Sequence, residues 1–243
     1  MLLLAILLIA TIAWCDYANR QQILSLTEKK YGHSGKQRMQ DWYELMDTLR
    51  SAGTLEQIKK VNHFFNDIRW MPDDEHWGKA DYWATPIELI GSDGGDCEDF
   101  AIAKYFSLKE LGISEEKLRI TYVIATDLNQ AHMVLAYYET PDAEPLILDN
   151  IKDKVLAASS RRDLRPIYSF NGGGLWLAKE RNTQLPSHSN NLATWQDVNQ
   201  RILKEINAMQ AFLLVGCYWF RFKRRESRAH PLHALQIRLR QRR

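Results

Sequence analysis

The chain has 243 residues, of which 45% are hydrophobic and 26% charged, a composition that is ordinary for a globular core and excludes a disordered chain. Its length accommodates one large domain or two small ones. The formal net charge of +2 is unevenly distributed, because nine Lys or Arg and one Glu fall between Gln210 and Arg243. The body that precedes this basic tail is therefore acidic.

Residues 1–18 are predicted to form a signal peptide or an N-terminal anchor. Their apolar run, Leu2–Trp14, has 13 residues, which fits the hydrophobic region of a signal peptide better than a membrane span of about 20 residues. No Lys or Arg precedes the run, and the region Ala13–Ala18 offers no clean cleavage site. The alternative is a buried N-terminal helix; we expect export.

Cysteine usage singles out one thiol. Cys15 and Cys217 lie in apolar runs at the two ends of the chain, so the folded body contains Cys97 alone and cannot form an internal disulfide bond. In an exported protein, a lone thiol indicates reactivity. Cys97 is therefore a candidate nucleophile, with a buried structural cysteine as the alternative.

Helical periodicity dominates the chain before Cys97. The predicted segments are helices over Gln21–Tyr31, Lys36–Arg50 and Leu55–Trp70, a loop over Met71–Ala84, and a short helix over Thr85–Ile90. The break between the first two helices is predicted at Gly32–Gly35. In the loop, Trp77 and Trp83 either line a cleft beside Cys97 or simply pack.

Cys97 follows two glycines, Gly94 and Gly95, and precedes the apolar stretch Phe100–Leu108. It is therefore expected where a loop enters a buried helix that ends near Leu111. A helix N-terminus carries unpaired N–H groups and a partial positive charge, and both favour the thiolate, which is the nucleophilic form. The glycines are expected to let a substrate approach the sulfur atom.

Three strand-like runs follow and bring two further candidates together. We predict strands over Leu118–Thr126, His132–Tyr138 and Pro145–Ile151. If the second and third strands pair antiparallel about a turn centred between Thr140 and Pro141, then His132 and Asp149 lie directly opposite each other on one face. The carboxylate would then hold the imidazole. The alternative is that each is an ordinary strand residue, although Asp is depleted from strand interiors.

The last predicted elements are a hairpin with a glycine turn over Tyr168–Leu177 and a helix over Leu192–Ala208. The fold class expected from all of these elements is α+β. N-terminal helices, one of which begins at the candidate nucleophile, would pack on an antiparallel sheet that carries the candidate His and Asp. We assign this folded domain to residues 19–207.

Residues 208–243 form an apolar and then basic C-terminal extension. Its apolar run is short for a membrane span, and the basic residues after it would act as a positive-inside stop. We predict contact with a membrane; the alternatives are an interfacial helix with a cationic tail and a poorly ordered appendage. Because no nucleic-acid-reading motif accompanies the basic residues, no nucleic acid is expected as a partner.

Cys97, His132 and Asp149 together offer the three roles of a nucleophilic triad. His132 would form an ion pair with the Cys97 thiolate and then protonate the leaving amine. Asp149 would fix the tautomer of the imidazole. The N–H of Cys97 would serve as one oxyanion donor, and the sequence does not identify a second.

The carboxylates beside Cys97 oppose a thiolate. Asp96 and Glu98 flank the thiol and, together with Asp99, would raise its pKa unless something neutralises them. Ca²⁺, a hard cation that binds carboxylate and carbonyl oxygens, would do so, and activity would then depend on calcium. The alternative is that these carboxylates cap the helix.

The motifs around these residues resemble those of one family. The motifs are Gly95–Ala101, Asn129–Leu135 and Leu148–Asn150, with Asp81–Pro86 and Tyr168–Asn171 in support. Over roughly Leu24 to Ile206, the chain resembles the bacterial transglutaminase-like cysteine proteinases of the LapG type. The family's catalytic triad falls on Cys97, His132 and Asp149 of this chain. Its calcium ligands fall on Asp96 and Glu98.

The resemblance implies a papain/transglutaminase-like α+β fold in the periplasm. The tail after about Ala208 lies beyond the resemblance, and it would tether the protein if it anchors in the inner membrane. It implies Ca²⁺-dependent cleavage of a large surface adhesin near its N-terminus, after a pair of alanines, which releases the adhesin and disperses biofilm. It also implies control by an inner-membrane cyclic di-GMP receptor that sequesters the protease. Two other functions fit the same residues: acyl transfer to an amine, as in a transglutaminase, and a non-catalytic calcium-dependent binding module with a structural Cys97.

Overall fold

The computed structural model describes the backbone of residues 2–177 and 193–205, and the side chains of residues 17–177 and 193–205. Among the described helices, none combines the length and the apolarity that crossing a lipid bilayer requires. The extension predicted over residues 208–243 lies outside the described residues, so its contact with a membrane stays a prediction.

The chain divides into two compact units. The larger unit, Leu24–Arg201, contains every candidate site residue. The other unit combines Met1–Ile23 with Ile202–Arg243, and its described residues are helical. The signal peptide over residues 1–18 stays a prediction.

Helices occupy the chain before the sheet and return after it. In chain order they are α1 (Leu2–Leu49), α2 (Thr54–Asn66), α3 (Asp73–His76), α4 (Pro86–Ser92), α5 (Cys97–Glu110) and α6, which covers 193–205. Helix α5 begins at the predicted residue and ends near the predicted end. The loop predicted over Met71–Ala84 contains α3, a single turn, and α2 ends at Asn66, before the predicted Trp70.

Helix α1 is interrupted at Gly32, where the sequence predicts a break. Gly32 has φ 75° and ψ −176°, a conformation outside the helical region that glycine adopts without a steric penalty. On either side of it, α1 contacts α4: the ring of Tyr31 lies against Gly91, and Arg38 donates to the carbonyl oxygens of Ile90 (2.7 Å) and Gly91 (2.6 Å). These contacts fix α4, which leads into the loop before α5.

The described strands form one antiparallel sheet in the order β4-β3-β2-β1-β5-β6. They are β1 (Leu118–Ala125), β2 (Gln130–Tyr137), β3 (Leu146–Leu148), β4 (Leu156–Ala157), β5 (Leu164–Asn171) and β6 (Gly174–Leu177). Strands β1 and β2 and the hairpin of β5 and β6 confirm the predicted runs. Strand β3 is shorter than predicted and ends before Asp149.

Helix α5 lies between the sheet and the other helices. It packs against β1 and β2 on one side and against α2 and α4 on the other. Because it is enclosed in this way, its side chains are buried on several faces, among them Phe100, Ile102 and Tyr105. Strand β2 is buried from His132 onward, whereas its first two residues are exposed. The start of α5 and the start of β2 therefore contribute to the same open edge of the core.

Helix α6 completes the core and holds the chain that precedes α4. The centroid of the buried Trp195 ring lies 5.4 Å from that of Phe170. Arg201 donates from Nη1 to Oε2 of Glu88 at 2.7 Å and from Nη2 to the carbonyl oxygen of Trp83. A helix late in the chain thus anchors a loop more than a hundred positions earlier.

Gly91→Ala should destabilise the protein. Alanine is the better helix former, so the substitution would stabilise α4 if there were room. A Cβ at Gly91 would, however, lie 2.4 Å from Cδ2 of the Tyr31 ring. We expect chemical denaturation to show a loss of about 1–3 kcal/mol in the free energy of unfolding, the usual cost of overpacking.

Gly53→Ala is the matched control, since nothing lies within 4 Å of a Cβ at Gly53. An equal loss in both variants would contradict the role assigned to the contact between α1 and α4.

Candidate active site

Cys97 is the first residue of α5 and is partly exposed. The first N–H groups of a helix have no partner within the helix, so Cys97 lies where an anion is favoured by the backbone. Its neighbour Asp99 is fully buried and serves the structure: its carboxylate accepts the N–H groups of Ala84 (2.6 Å) and Asp96 (3.3 Å). Asp99 thereby ties the loop before α4 to the start of α5.

The two glycines before Cys97 are packed closely by the protein itself, and their role in letting a substrate reach the sulfur atom stays a prediction. A Cβ at Gly94 would lie 2.8 Å from atoms of His76 and Met71, and one at Gly95 would lie 2.5 Å from Oδ2 of Asp99. The protein's own side chains fill this space. Close packing also allows a short backbone pairing, in which the N–H of Met71 donates to the carbonyl oxygen of Gly95 at 2.8 Å.

His132 and Asp149 meet, but not by the predicted register. Strand β3 pairs with β2 through Leu135 and Leu148, so the strands are offset by two residues from the register that would place the pair directly opposite. Asp149 lies just beyond β3, where Asn66 holds its carbonyl oxygen at 2.8 Å and the chain leaves the sheet. From there Oδ1 of Asp149 lies 2.8 Å from Nε2 of His132.

The carboxylate of Asp149 is buried and fully hydrogen-bonded. Its Oδ1 also accepts the N–H of Ile151 at 2.9 Å, and its Oδ2 accepts Nη2 of Arg161 at 2.6 Å. Burial alone would raise the pKa of Asp149, but the hydrogen bonds from His132, Ile151 and Arg161 lower it to about 2. The ionised carboxylate can only accept, so His132 donates from Nε2 and Nδ1 is the ring nitrogen left to face other groups.

One cleft of ≈ 590 Å³ brings these residues together. Cys97, His132 and Glu98 line it, and Trp83 contributes an aromatic wall. Trp77, the other aromatic candidate for this wall, packs instead against Tyr82, with ring centroids 5.0 Å apart. The catalytic roles of Cys97, His132 and Asp149 stay predictions; Cys97 and His132 both line the cleft, and Asp149 is hydrogen-bonded to His132.

The electrostatic environment of the thiol favours the protonated form. Sγ of Cys97 donates to Oε2 of Glu98 at 3.0 Å. Burial raises the pKa of the Cys97 thiol well above its ordinary value, and the charges of Glu98 and Asp96 raise it further, while the backbone N–H of Met133 lowers it. A thiolate therefore needs these two carboxylates to be neutralised.

The same carboxylates belong to a larger cluster. Asp73, Asp81 and Glu98 each place a carboxylate oxygen within 4.8 Å of the others, and Asp73, Asp96 and Asp99 do the same. Burial and the charge of Glu98 raise the pKa of Asp96 to about 9, and burial raises that of Glu98. Oδ1 of Asp96 and Oδ1 of Asp73 are buried and have no hydrogen-bond partner among the described residues.

This donor set fits a hard divalent cation. It consists of crowded, desolvated carboxylate oxygens, and two of them have no hydrogen-bond partner within the described part of the chain. Asp96 and Glu98 are the predicted ligands; their role stays a prediction. Sequence reasoning missed Asp73 and Asp81 as members of the cluster, although the number of carboxylates in the loop before α4 was the available signal.

The site combines a thiol at a helix N-terminus with an imidazole that lies on a sheet across the cleft and is held by a carboxylate. This combination defines an enzyme that works through a cysteine nucleophile. The family model described as bacterial transglutaminase-like cysteine proteinase, BTLCP, matches residues 20–163, more than half of the chain. The chain belongs to this family and is a cysteine proteinase. A comparison with curated proteins finds no match.

Solved structures agree with the family. The chain is 44% identical to Legionella pneumophila LapG in its calcium-bound form, with a TM-score of 0.67, and the match covers 75% of this chain and 98% of that one. Against the EGTA-treated form of LapG the TM-score is 0.66, at the same identity and with 96% of that chain covered. The predicted α+β, transglutaminase-like fold is confirmed.

Lys104 is a buried charge that sequence reasoning missed. It lies two turns after Cys97 on α5, is 1% exposed, and donates to Oδ1 of Asn66 at 2.6 Å. The side-chain N–H₂ of Asn66 in turn donates to the carbonyl oxygen of Asp149 and to Asp153. Burial lowers the pKa of Lys104 to about 7, against the opposing effect of Asp149 and Asp153. The helix of the nucleophile therefore also supports the loop that contains Asp149.

Lys104→Met should change how folding stability depends on pH. Between the folded pKa of about 7 and the ordinary value of 10.5, the unfolded chain binds the proton at Lys104 and the folded protein does not. Stability therefore rises with pH across this window, by roughly 1.4 kcal/mol per unit at most from this group, and the gain is absent below it. Urea unfolding of wild type and variant from pH 7 to 10 measures the difference.

Lys60→Met, on the exposed face of α2, is the control and should leave the pH dependence as it is. Parallel stability curves for wild type and Lys104→Met would show that Lys104 keeps its proton in the folded state.

Proposed function

We propose that this protein is a calcium-dependent cysteine endopeptidase that acts in the periplasm. Its substrate is the N-terminal region of a large surface adhesin, and cleavage releases the adhesin and disperses biofilm. The observation that carries the proposal is the cleft itself. The thiol of Cys97 and the imidazole of His132 line it, Asp149 holds that imidazole, and beside the thiol lies a cluster of carboxylates in which two oxygens have no partner among the described residues.

Peptide cleavage follows from the three side chains. His132, through Nδ1, takes the proton of the Cys97 thiol, and the thiolate attacks the carbonyl carbon of the scissile bond. The imidazolium then protonates the leaving amine as the C–N bond breaks, which leaves a thioester on Cys97. A water molecule, deprotonated by His132, hydrolyses the thioester and restores the thiol. Asp149 stays an anion throughout and stabilises the imidazolium.

Asp96 and Glu98, with Asp73 and Asp81, would hold the calcium ion. When bound, the ion supplies positive charge that offsets the carboxylates beside the thiol, so that they no longer oppose the thiolate. Glu98 would then bind the metal rather than accept the hydrogen bond from Cys97. Calcium in one of the LapG structures supports the choice of this cation over other hard divalent ions.

The substrate and the control of the enzyme are proposed from the family. A pair of alanines marks the cleavage site, and an inner-membrane cyclic di-GMP receptor sequesters the protease. An exported enzyme meets both partners on the outer side of the inner membrane, and the C-terminal extension, residues 208–243, would keep it there. The exposed side chains of Trp70, Leu128 and Ile151 at the cleft offer apolar surface for an extended polypeptide.

Cleavage of a purified adhesin N-terminal fragment containing an Ala-Ala pair tests the proposal. We expect calcium-loaded wild type to cut it, excess EGTA to abolish cutting, and Cys97→Ala to lower the rate by at least roughly 10⁴-fold, because no other group replaces the nucleophile. Mass spectrometry of the products identifies the new termini.

Isopeptide-linked products would instead assign the chain to acyl transfer. Cutting that survives EGTA would remove calcium from the proposal, and cutting by Cys97→Ala would remove the thiol mechanism. Restoring calcium after EGTA, with magnesium as the comparison ion, controls for loss of protein.

Asp81→Asn should weaken calcium binding by roughly tenfold or more, because affinity follows the charge count of the oxygen ligands. Isothermal titration calorimetry with Ca²⁺ alone measures it, without reference to catalysis. Asp74→Asn is the matched control: Asp74 is an exposed carboxylate of the same loop region and lies outside the cluster. Equal affinities in the two variants would exclude Asp81 as a ligand.

A further inference from the structure

The two oxygens of the Asp149 carboxylate have different partners. Oδ1 accepts from His132, whereas Oδ2 accepts Nη2 of Arg161 at 2.6 Å. The side chains of Arg161 and Asp149 are 1% and 0% exposed, so this ion pair is removed from solvent. Removing charges from water is costly, and a buried pair is only weak evidence for stability. The pair therefore calls for a reason in the chemistry of the site.

Arg161 is itself held in place. Its Nε and Nη2 donate to Asp163 at 3.1 and 2.8 Å, and Nζ of Lys152 lies 3.0 Å from Oδ2 of Asp163. Two carboxylates thus fix the planar guanidinium from different directions, which restricts its orientation. A chain of alternating charges runs from Lys152 at the surface to Asp149 in the core.

We propose that Arg161 is a positioning residue for catalysis, which acts through Asp149 by keeping its carboxylate charged and aimed at His132 while the imidazole is neutral. The inference rests on the proposed roles of His132 and Asp149. Arg161 lies outside the set of described residues that line the cleft, so it acts on the reaction without touching the substrate.

The need for a permanent cation follows from the catalytic cycle. His132 is positive only while it holds the proton of Cys97. In the rest of the cycle a buried Asp149 would face a neutral ring, and burial would favour its protonation. A protonated Asp149 could donate to His132 and would reverse the tautomer that the reaction needs. Arg161 stays charged at every working pH and prevents this.

Other charged groups near Asp149 do not replace Arg161. Lys104 contacts Asn66 rather than the Asp149 carboxylate. Because its pKa is about 7, Lys104 is only partly protonated near neutral pH and is not a permanent cation. Asp153, on the far side of Asn66, and Asp163, beyond Arg161, are both anions and would disfavour a charged Asp149. Among the described groups, Arg161 is the cation in direct contact with the carboxylate.

The test compares Arg161→Met and Arg161→Lys with the matched control Arg162→Met, whose side chain is exposed. The full-length, calcium-loaded protein is assayed with a peptide that spans an Ala-Ala pair, over a range of about pH 5 to pH 9. We expect Arg161→Met to lower kcat on the order of 10- to 100-fold, less than loss of the triad carboxylate itself, and to leave KM within about twofold. Arg161→Lys should recover part of kcat, and Arg162→Met should match wild type.

The pH profile separates positioning from a structural role. Without Arg161 the pKa of Asp149 rises, so activity should be lost at a higher pH on the acid side than in wild type. In an Asp149→Asn background, Arg161→Met should cost little further, because the group through which it acts is gone. Melting temperatures of all variants are measured in parallel, and Arg161→Lys serves for the comparison if Arg161→Met does not fold.

Three results would overturn the inference: an unchanged acid limb, a change in KM alone, or losses from Arg161→Met and Asp149→Asn that multiply independently. Its failure is distinct from failure of the proposed function. If wild type cuts the peptide, Cys97→Ala does not, and the Arg161 variants behave as wild type, only the inference about Arg161 fails. If Cys97→Ala cuts as wild type does, the thiol mechanism fails first.

Discussion

The crowding of negative charge around one sulfur atom is the constraint on which the site depends. The nucleophilic role proposed for Cys97 needs the sulfur as an anion, yet Oε2 of Glu98 lies 3.0 Å from Sγ and Asp96 precedes Cys97 in the chain. At a surface, water would screen such charges; here burial strengthens each of them. Burial and these two charges raise the pKa of the Cys97 thiol, so the uncompensated carboxylates favour its protonated form. Asp99 and the loop that contains Asp81 hold the carboxylates in this arrangement.

A second charge balance surrounds the buried Asp149, which holds His132. Asp149 is surrounded by donors and by the buried cation of Arg161, so its pKa falls to about 2. The two environments therefore shift the pKa of a carboxyl group in opposite directions: that of Asp96 is raised and that of Asp149 is lowered. A pair of environments that separate pKa values in this way is the usual means by which one site assigns different roles to identical groups.

The sequence indicates which residues are the candidates for the chemistry more clearly than it indicates where those residues lie in the fold. The position of Cys97 at the start of a helix is predicted from the local sequence pattern alone, and α5 does begin at this residue. The predicted meeting of His132 and Asp149 rested on an incorrect register: Asp149 lies where the chain leaves β3, and there its carbonyl oxygen accepts from Asn66, which is far away in sequence. The number of carboxylates before α4 was a signal for Asp73 and Asp81, but nothing in the sequence pointed to Lys104 or Arg161. Their significance comes from neighbours that only the fold supplies.

Helix α6 shows that the folded unit extends beyond the segment that matches the family model. The segment that matches the family model ends at residue 163, yet Trp195 packs on Phe170 in the core, and Arg201 holds Trp83 on the wall of the cleft. The matched segment therefore lacks part of the core and is not a complete folding unit. A gene fusion or truncation that kept only those residues would lose β5, β6 and the helical clamp together. In this chain, the contacts that build the core extend over the whole unit, Leu24–Arg201.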